Sequence, residues 1–277
     1  MNEPVLCPLC PRHCRLSEGQ IGFCGARQAK GGEVIPLNYG QITSFALDPI
    51  EKKPLAYYCP GSMILSAGSF GCNMACPFCQ NHHISRSKKE ALSVREVSPG
   101  DLIALAKAEK RRGNIGLAFT YNEPLIAFEF VLQTAKLAQS ENLKTVLVTN
   151  GQICEPYLKE LLPYISAWNI DLKAFSEDGY RRLGGDFKTA LRTIESAFAV
   201  SHVEVTTLVV PGISDSAEEM RAEAEYLANL SPYIPLHLSR YFPSYRYTEP
   251  ATSKSKMREL KEIAGQYLER VRFGNMT

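Results

Sequence analysis

The sequence has no internal repeat, and it lacks both long apolar runs and a strong charge of either sign, which disfavours two classes of protein. No apolar run approaches the length of a membrane span, so we expect no membrane partner. The net charge is only +2, which makes nucleic acid an unexpected partner. The first residues have no basic segment followed by an apolar one, so we expect a cytoplasmic rather than an exported protein.

Cysteine, by contrast, is abundant. The nine cysteines are an odd number, and seven of them fall in two tight groups within the first 79 residues. They are Cys7, Cys10, Cys14, Cys24, Cys59, Cys72, Cys76, Cys79 and Cys154. In a reducing compartment, grouped cysteines are more often metal ligands or redox groups than disulfides. Disulfide pairing is the alternative to metal binding.

From about residue 62 the sequence alternates between strand and helix patterns. The candidate strands are 63–67, 115–120, 145–149, 168–172, 203–210 and 235–239. Apolar residues three and four positions apart mark helices between them, and a last helix is expected over 255–269. Six strand–helix units predict an α/β fold, a partial TIM-type (β/α)6 barrel over residues 61–277.

The first 60 residues read differently and predict a small Cys-rich, metal-binding N-terminal subdomain over residues 1–60. Residues 33–37 and 41–47 flank Asn38-Tyr39-Gly40, which predicts a β-hairpin with Pro36 on an edge strand. The 277-residue length suits one barrel with such an addition.

Parallel barrels place their chemistry at the carboxyl ends of the strands, and a cysteine-rich loop follows the first candidate strand. In it, Cys72, Cys76 and Cys79 put three thiolates within eight residues. Thiolates suit iron–sulfur clusters and zinc. A cubane cluster has four irons, so three cysteines leave one iron free to bind a substrate or cofactor. Structural zinc is the alternative, because His82 or His83 could supply its fourth ligand.

The spacing of these cysteines after a first barrel strand resembles the radical S-adenosylmethionine (SAM) superfamily. The resemblance implies a 4Fe–4S cluster whose open iron chelates the amino and carboxylate groups of SAM. Reductive cleavage of SAM then yields a 5′-deoxyadenosyl radical, which abstracts a hydrogen atom from the substrate. It also implies an electron donor such as flavodoxin or ferredoxin.

Later motifs narrow this resemblance. Within residues 63–245, the motifs that resemble the activases of glycyl-radical enzymes, notably pyruvate formate-lyase activating enzyme, are Thr149-Asn150-Gly151, Asp171-Leu172-Lys173, Leu183-Gly184-Gly185 and Val210-Pro211-Gly212-Ile213-Ser214-Asp215. Over nearly the full length, the motifs that resemble the radical enzyme of the AmmeMemoRadiSam system are 48–55, 60–62, 79–81, 237–240 and 274–275. The activase resemblance implies a glycyl residue of a partner protein as substrate. Modification of a small molecule or RNA base, and a non-catalytic zinc or iron–sulfur module, are the alternatives.

The resemblance also assigns cofactor contacts to residues that follow the strands. They are Phe78, Asn122, Glu123, Asn150, Asp171, Lys173, Val210 and Arg240. Phe78 resembles the aromatic residue near the adenine, with a core phenylalanine as alternative. Glu123 resembles the acid that contacts the amino group of SAM, although Tyr121-Asn122 replace the family's glycines; a helix-terminal acid is the alternative. Lys173 would pair with the cofactor carboxylate and Asp171 would position it, unless the two form a mutual salt bridge.

Two further segments carry charge. Residues 240–247, after the last strand, mix cations and phenols, which predicts either contact with an anionic or peptide substrate or a loop that shields the barrel. Lys52 and Lys53 are equally consistent with surface lysines, although the adjacent Pro54 indicates a fixed turn.

Four cysteines precede the barrel in a compact set that predicts a second metal site. They are Cys7, Cys10, Cys14 and Cys24. Zinc and an auxiliary 4Fe–4S cluster both suit four sulfurs, and zinc is favoured because activases carry their extra clusters after the radical motif. A site with His13 in place of Cys24, or free buried cysteines, are the alternatives. Cys59 and Cys154 stand alone, which is typical of small core residues.

Overall fold

The computed structural model describes residues 3–87 and 89–276. The strands are β1 (Val5–Leu6), β2 (Arg15–Leu16), β3 (Arg27–Lys30), β4 (Glu33–Pro36), β5 (Gln41–Ile42), β6 (Ser44–Pro49), β7 (Met63–Gly68), β8 (Arg95–Glu96), β9 (Asn114–Phe119), β10 (Lys144–Thr149), β11 (Ala167–Asp171), β12 (His202–Val209), β13 (Leu236–Arg240) and β14 (Val271–Phe273). The α-helices are α1 (His82–Ser85), α2 (Pro99–Ala108), α3 (Phe128–Ser140), α4 (Glu155–Leu161), α5 (Glu177–Leu183), α6 (Phe187–Phe198), α7 (Ala217–Leu230) and α8 (Lys254–Ala264). Short 3₁₀ turns cover Ile50–Lys52, Lys89–Ala91, Glu109–Arg112, Pro124–Ala127 and Leu162–Tyr164. No helix within the described ranges is both long enough and apolar enough to cross a membrane.

An eight-stranded sheet forms the centre of the fold, in the order β14–β13–β12–β11–β10–β9–β7–β6. Every neighbouring pair from β7 to β14 is parallel, and β6 runs antiparallel to β7. The order ends in two edges, so the barrel is open. Six of the parallel strands agree within one residue with the six candidate strands. The predicted α/β fold, a partial TIM-type barrel, is confirmed.

Helices connect the parallel strands, so that the loops after the strands meet at one end of the sheet. Ser98 caps α2 in a reciprocal capping box with Asp101, and Ser216 caps α7, which fixes where these crossovers begin. The single tryptophan, Trp168 on β11, is fully buried, and its indole N–H donates to Ser201 Oγ at 3.0 Å.

The predicted hairpin is wrong in its choice of strands. β4 pairs with β3 instead, across Gly31 and Gly32, whose φ angles of 62° and 84° allow a tight turn. The expected second strand is divided, because β5 pairs with β8 and β6 with β7. A local pattern specifies a strand but not a distant partner, which explains the error. The domain boundary at residue 60 stays a prediction, and the β6–β7 pairing crosses it.

The chain after β13 also differs from expectation. The last helix, α8, ends at Ala264 instead of residue 269, with Gly265 following it. The apolar end of the chain forms β14, which adds a further parallel strand beside β13.

The N-terminal segment packs on the carboxyl end of the sheet. Arg27 on β3 forms a two-pronged ion pair with Glu129 on α3, at 2.7 and 2.9 Å. The N–H of Cys154, after β10, donates to the carbonyl of Leu9 at 2.8 Å. These contacts place the four N-terminal cysteines beside the loops that follow the parallel strands.

Residues 50–58 pack against the parallel strands, where Ile50 and Leu55 share a buried cluster with residues of β7, β9, β10 and β11. They also contact the buried carboxylate of Glu204 on β12. Four groups surround this carboxylate at 2.6–3.0 Å. They are the backbone N–H groups of Ala56 and Tyr57 and the Nε2 atoms of His202 and His237. Burial alone would raise the pKa of Glu204, but these hydrogen bonds outweigh it and lower the pKa to about 2.

Candidate active site

A cavity of about 410 Å³ opens where the parallel strands end. Nine of the residues assigned from the sequence line it together. They are Cys72, Cys76, Phe78, Cys79, Asn122, Glu123, Asn150, Asp171 and Lys173. They come from the loops after β7, β9 and β10, and from the end of β11 and the loop after it. The cavity volume is within the usual range for small-molecule sites.

The loop that carries the three cysteines is fixed at its start by Gly71 and Asn122. The side chain of Asn122 accepts from the N–H of Ser69 at 2.9 Å and donates to the carbonyl of Gly71 at 3.2 Å. Gly71 has a φ of 87°, and a Cβ there would lie 2.5 Å from the carbonyl oxygen of Cys24. The N–H of Cys72 donates to that same carbonyl at 3.1 Å. The side chain of Asn122 is therefore engaged in shaping the loop.

Burial disfavours the thiolate form of two of these cysteines. It raises the pKa of Cys72, and the nearby Glu123 carboxylate raises it further. It raises the pKa of Cys76 to about 11, although the charge of Lys173 opposes the shift. A bound metal reverses this preference, because a coordinating thiol is deprotonated outright.

Glu123 is buried, and both of its carboxylate oxygens accept hydrogen bonds. Oε1 accepts from the N–H of Leu125 at 2.9 Å and from Oγ1 of Thr149 at 2.6 Å, and Oε2 accepts from the N–H of Asn150 at 2.8 Å. Burial nevertheless raises the pKa of Glu123 to about 7. Glu123 therefore caps the turn Pro124–Ala127, which is the helix-terminal role considered as the alternative for this acid. A carboxylate has about four acceptor positions, so the described residues leave one of them unused on a side chain that lines the cavity.

Asn150 links the cysteine loop to β10. Its Nδ2 donates to Oδ1 of Asn73 at 2.9 Å and lies 3.7 Å from Sγ of Cys72. Its backbone N–H is the group that donates to Glu123. A sequence motif that reads as an ordinary turn therefore connects two of the predicted site residues.

Asp171 and Lys173 form the mutual ion pair weighed as an alternative, with 2.8 Å between Oδ2 and Nζ. Burial would lower the pKa of Lys173, but the negative charges of Asp171 and Cys76 outweigh it and raise that pKa. Both side chains line the cavity, with 29% of the Asp171 side chain and 19% of the Lys173 side chain exposed.

The segment after β13 packs onto the cysteine loop. The ring of Tyr247 meets that of Phe78 edge-on at 6.3 Å, and the N–H of Arg246 donates to the carbonyl of Pro77 at 2.8 Å. The ring of His82 stacks on Tyr245 at 4.5 Å, and its Nδ1 lies 3.1 Å from the carbonyl oxygen of Cys79. This arrangement agrees with the shielding role considered for residues 240–247.

Two of the assigned residues do not line the cavity of the described structure. The side chain of Val210 is fully buried in the core. Arg240 turns away, with Nε donating to the carbonyl of Thr252 at 2.6 Å and its guanidinium 4.8 Å from the ring centre of Phe242. Their assignment came from the family motif, which fixes a position in the chain but not a side-chain direction.

Lys53 is not a surface lysine, because it is 3% exposed and lines the cavity. Its Nζ lies 2.8 Å from Oδ2 of Asp48 on β6. The hydroxyl of Tyr121 donates to the same oxygen at 3.0 Å. Lys52 is exposed, at 68% of its side chain. Nothing in the sequence indicates that Asp48 and Lys53 form an ion pair in the cavity. The hairpin prediction gave the strand before Asp48 a different partner, whereas in the structure β6 pairs with β7.

The N-terminal cysteines lie close enough to influence one another. Burial raises the pKa of Cys10 to about 12, and the charges of Cys7, Cys24 and Cys14 add to the rise. His13 was considered as a ligand in place of Cys24, but its Nε2 lies 3.9 Å from Sγ of Cys154. Cys59 is exposed, contrary to the core position expected for it.

Within residues 3–87 and 89–276, no group of three or more His, Cys, Asp or Glu side chains is arranged around the position of a single metal ion. A cubane is larger than an ion and takes each thiolate on a different iron, so a wider spacing suits it. Three sulfurs on one cavity wall fit that donor set. No fourth cysteine lines the cavity in this part of the chain.

Residues 68–224 match the radical SAM superfamily, which is more than half of the chain and includes the three-cysteine loop. The chain belongs to the radical SAM superfamily. It is also 34% identical to an uncharacterized protein of Methanocaldococcus jannaschii, over 95% of this chain and 78% of that protein.

Other relatives agree with this radical SAM assignment. The pyruvate formate-lyase-activating enzyme of Clostridium pasteurianum is 26% identical, over 72% of this chain and 89% of that enzyme. A solved structure of Streptococcus suis SuiB bound to S-adenosylmethionine has a similar fold, with a TM-score of 0.58 and 16% identity. That match covers 73% of this chain and 47% of the other.

Membership in the radical SAM superfamily makes this chain an enzyme and implies a 4Fe–4S cluster and SAM. The non-catalytic module considered from the sequence is therefore set aside.

Proposed function

We propose that Cys72, Cys76 and Cys79 hold a 4Fe–4S cluster with one open iron, which binds SAM in the cavity at the carboxyl ends of the strands. The observation that carries this proposal is the convergence of these three thiols on one cavity. When bound, the cluster and SAM supply a 5′-deoxyadenosyl radical that abstracts hydrogen.

The protein's own residues orient and shield this chemistry. Lys173, steadied by Asp171, offers a cation to a carboxylate, and the free acceptor position of Glu123 offers a partner to an ammonium. Asn150 holds the cysteine loop against Glu123, so the loop and this carboxylate keep a fixed separation. The segment over Phe78 excludes water from one side of the cavity.

The substrate would enter the part of the cavity that Lys53 and Tyr121 line. We infer a glycyl residue of a partner protein as substrate, supported by the similarity to activating enzymes. An external electron carrier such as flavodoxin or ferredoxin would supply the electron that each cleavage consumes.

Substitution of one cluster ligand tests the proposal. We expect Cys76→Ala, after anaerobic reconstitution and reduction with dithionite, to form no 5′-deoxyadenosine from SAM, because the cluster loses a ligand. Cys59→Ala is the matched control, since Cys59 is exposed and does not line the cavity. Equal product from Cys76→Ala and the control, measured by liquid chromatography, would contradict the proposal.

We further propose that Cys7, Cys10, Cys14 and Cys24 hold a structural zinc, whose binding would draw their sulfurs together, since the described side chains are not arranged around a single ion. Four thiols within mutual electrostatic range suit such a site, because zinc favours the thiolate form that burial opposes. In the triple variant Cys72→Ala, Cys76→Ala, Cys79→Ala, metal analysis should find about one zinc and no iron. Iron retained by this variant would instead mean an auxiliary cluster.

A further inference from the structure

We infer that Arg12, Phe23 and Arg86 form the docking surface for an acidic electron-carrier protein. These three residues are called the Phe23 patch below. The inference rests on the proposed function, because only a cluster in the cavity needs an electron from outside. In the transfer the carrier is oxidised by one electron and the cluster is reduced by one, and no bond forms or breaks.

The Phe23 patch is an aromatic ring with two guanidinium groups beside it. The ring of Phe23 is 38% exposed. The guanidinium carbon of Arg12 lies 3.5 Å from the ring centre and that of Arg86 lies 4.6 Å from it. Stacked arginines beside an exposed aromatic ring are the residue types that carry binding energy at protein interfaces.

The positive charge of the patch is not neutralised within the described chain. Neither Arg12 nor Arg86 takes part in an ion pair among the described residues. Arg181 shares a neighbouring cavity with Arg12, but it is paired with Asp178. Two uncompensated cations on a chain of net charge only +2 select for a partner of negative charge.

The patch also touches the backbone of the cysteine loop. Arg12 Nε donates to the carbonyl of Asn73 at 2.8 Å, and Arg86 Nη1 lies 3.4 Å from the carbonyls of Cys72 and Met74. One hydrogen bond therefore separates the patch from the main chain of a proposed cluster ligand. Because electron transfer slows steeply with distance, a carrier seated here would have the short path that the reaction requires.

The surface points to a weak, transient complex. A small patch with charge on its rim steers encounter through electrostatics, as expected for redox partners that must dissociate after each transfer. Opposite charge across such an interface accelerates association at low salt, and added salt screens it.

Charge reversal at Arg86 tests this inference, with a bacterial flavodoxin as the probe. On the reconstituted enzyme, Arg86→Glu should weaken flavodoxin binding about tenfold, measured by flavin fluorescence titration at low salt. The dependence of binding on salt should also become shallower. Arg258→Glu is the matched control, because it reverses the charge of an exposed arginine on α8, at the other edge of the sheet.

The source of electrons separates docking from catalysis. With flavodoxin hydroquinone as reductant, Arg86→Glu and Phe23→Ala should both need more carrier for half-maximal 5′-deoxyadenosine formation. With dithionite, Phe23→Ala, whose side chain makes no hydrogen bond to the cysteine loop, should match the control. Equal flavodoxin affinity in Arg86→Glu and Arg258→Glu would overturn the inference, as would an equal loss in Phe23→Ala with both reductants. Absence of product from the unaltered enzyme with dithionite would instead overturn the proposed function. Phe23→Ala provides a second variant with unchanged charge, in which binding should weaken without a change in salt dependence.

Discussion

At the scale of single residues, Gly71 joins the N-terminal segment to the cysteine loop. Its φ of 87° is one that side chains disfavour, and the Cys24 carbonyl fills the space that a Cβ would need. Two constraints therefore act on one position, strain in the backbone and close packing above it. Another glycine in the chain has the same backbone strain without the close packing, and it can serve as a control.

Gly61 provides that match, since its φ is 80° and nothing lies within 4 Å of a Cβ built there. We expect Gly71→Ala to lower the free energy of unfolding by about 2 kcal/mol more than Gly61→Ala, because overpacking adds to the shared strain. Urea titration followed by the fluorescence of the buried Trp168 would measure both variants. Equal losses of unfolding free energy in the two variants would mean that the Cys24 backbone moves aside without an energetic penalty.

Individual residues also show where sequence reasoning reached its limit. The cysteine spacing predicts Cys72, Cys76 and Cys79 as cluster ligands because the three residues are close together in the sequence, and the structure places all three on one cavity. Lys53 and Asp48 could not be found this way, since their place in the cavity depends on β6 joining β7. Arg240 shows the opposite error. The family motif predicts it as a cofactor contact, but its side chain binds the carbonyl of Thr252 and does not line the cavity.

At the scale of elements, the six core strands could be predicted because each is a short apolar run followed by turn residues. The pairing of β6 could not, because an edge strand can join several partners and local sequence does not choose among them. The position of residues 50–58 could not be predicted either, because local sequence does not specify the distant residue that they contact. This segment is held by the carboxylate of Glu204 on β12 rather than by a repeating pattern.

The attachment of this segment should depend on pH. The pKa of Glu204 is about 2 in the folded protein and 4.5 ordinarily, so its stabilising effect is complete above pH 4.5 and is lost as the pH falls toward 2. We expect the difference in unfolding free energy between the unaltered protein and Glu204→Gln to narrow by about 1 kcal/mol from pH 5.5 to pH 3.5.

Urea titrations at the two pH values measure this difference. Glu262→Gln, at an exposed position on α8, is the control and should show no such change. A difference that stays constant for Glu204→Gln would show that the carboxylate does not hold the segment in its ionised form.

At the scale of the whole molecule, the open sheet gathers loops that are distant in the chain around one cavity. The cysteine loop forms one wall, the ion pair of Asp171 and Lys173 another, and Lys53 with Tyr121 a third. The N-terminal segment supports the outside of the cysteine loop through Cys24 and Arg12. This arrangement suits the proposed cluster, which would have three protein ligands and would be enclosed on its cavity side.

Electron paramagnetic resonance of the reduced, reconstituted enzyme tests that claim most directly. If one iron lacks a protein ligand and binds SAM, addition of SAM should change the signal of the reduced 4Fe–4S cluster, and Cys59→Ala should behave in the same way. A reduced cluster whose signal is identical with and without SAM would contradict the account.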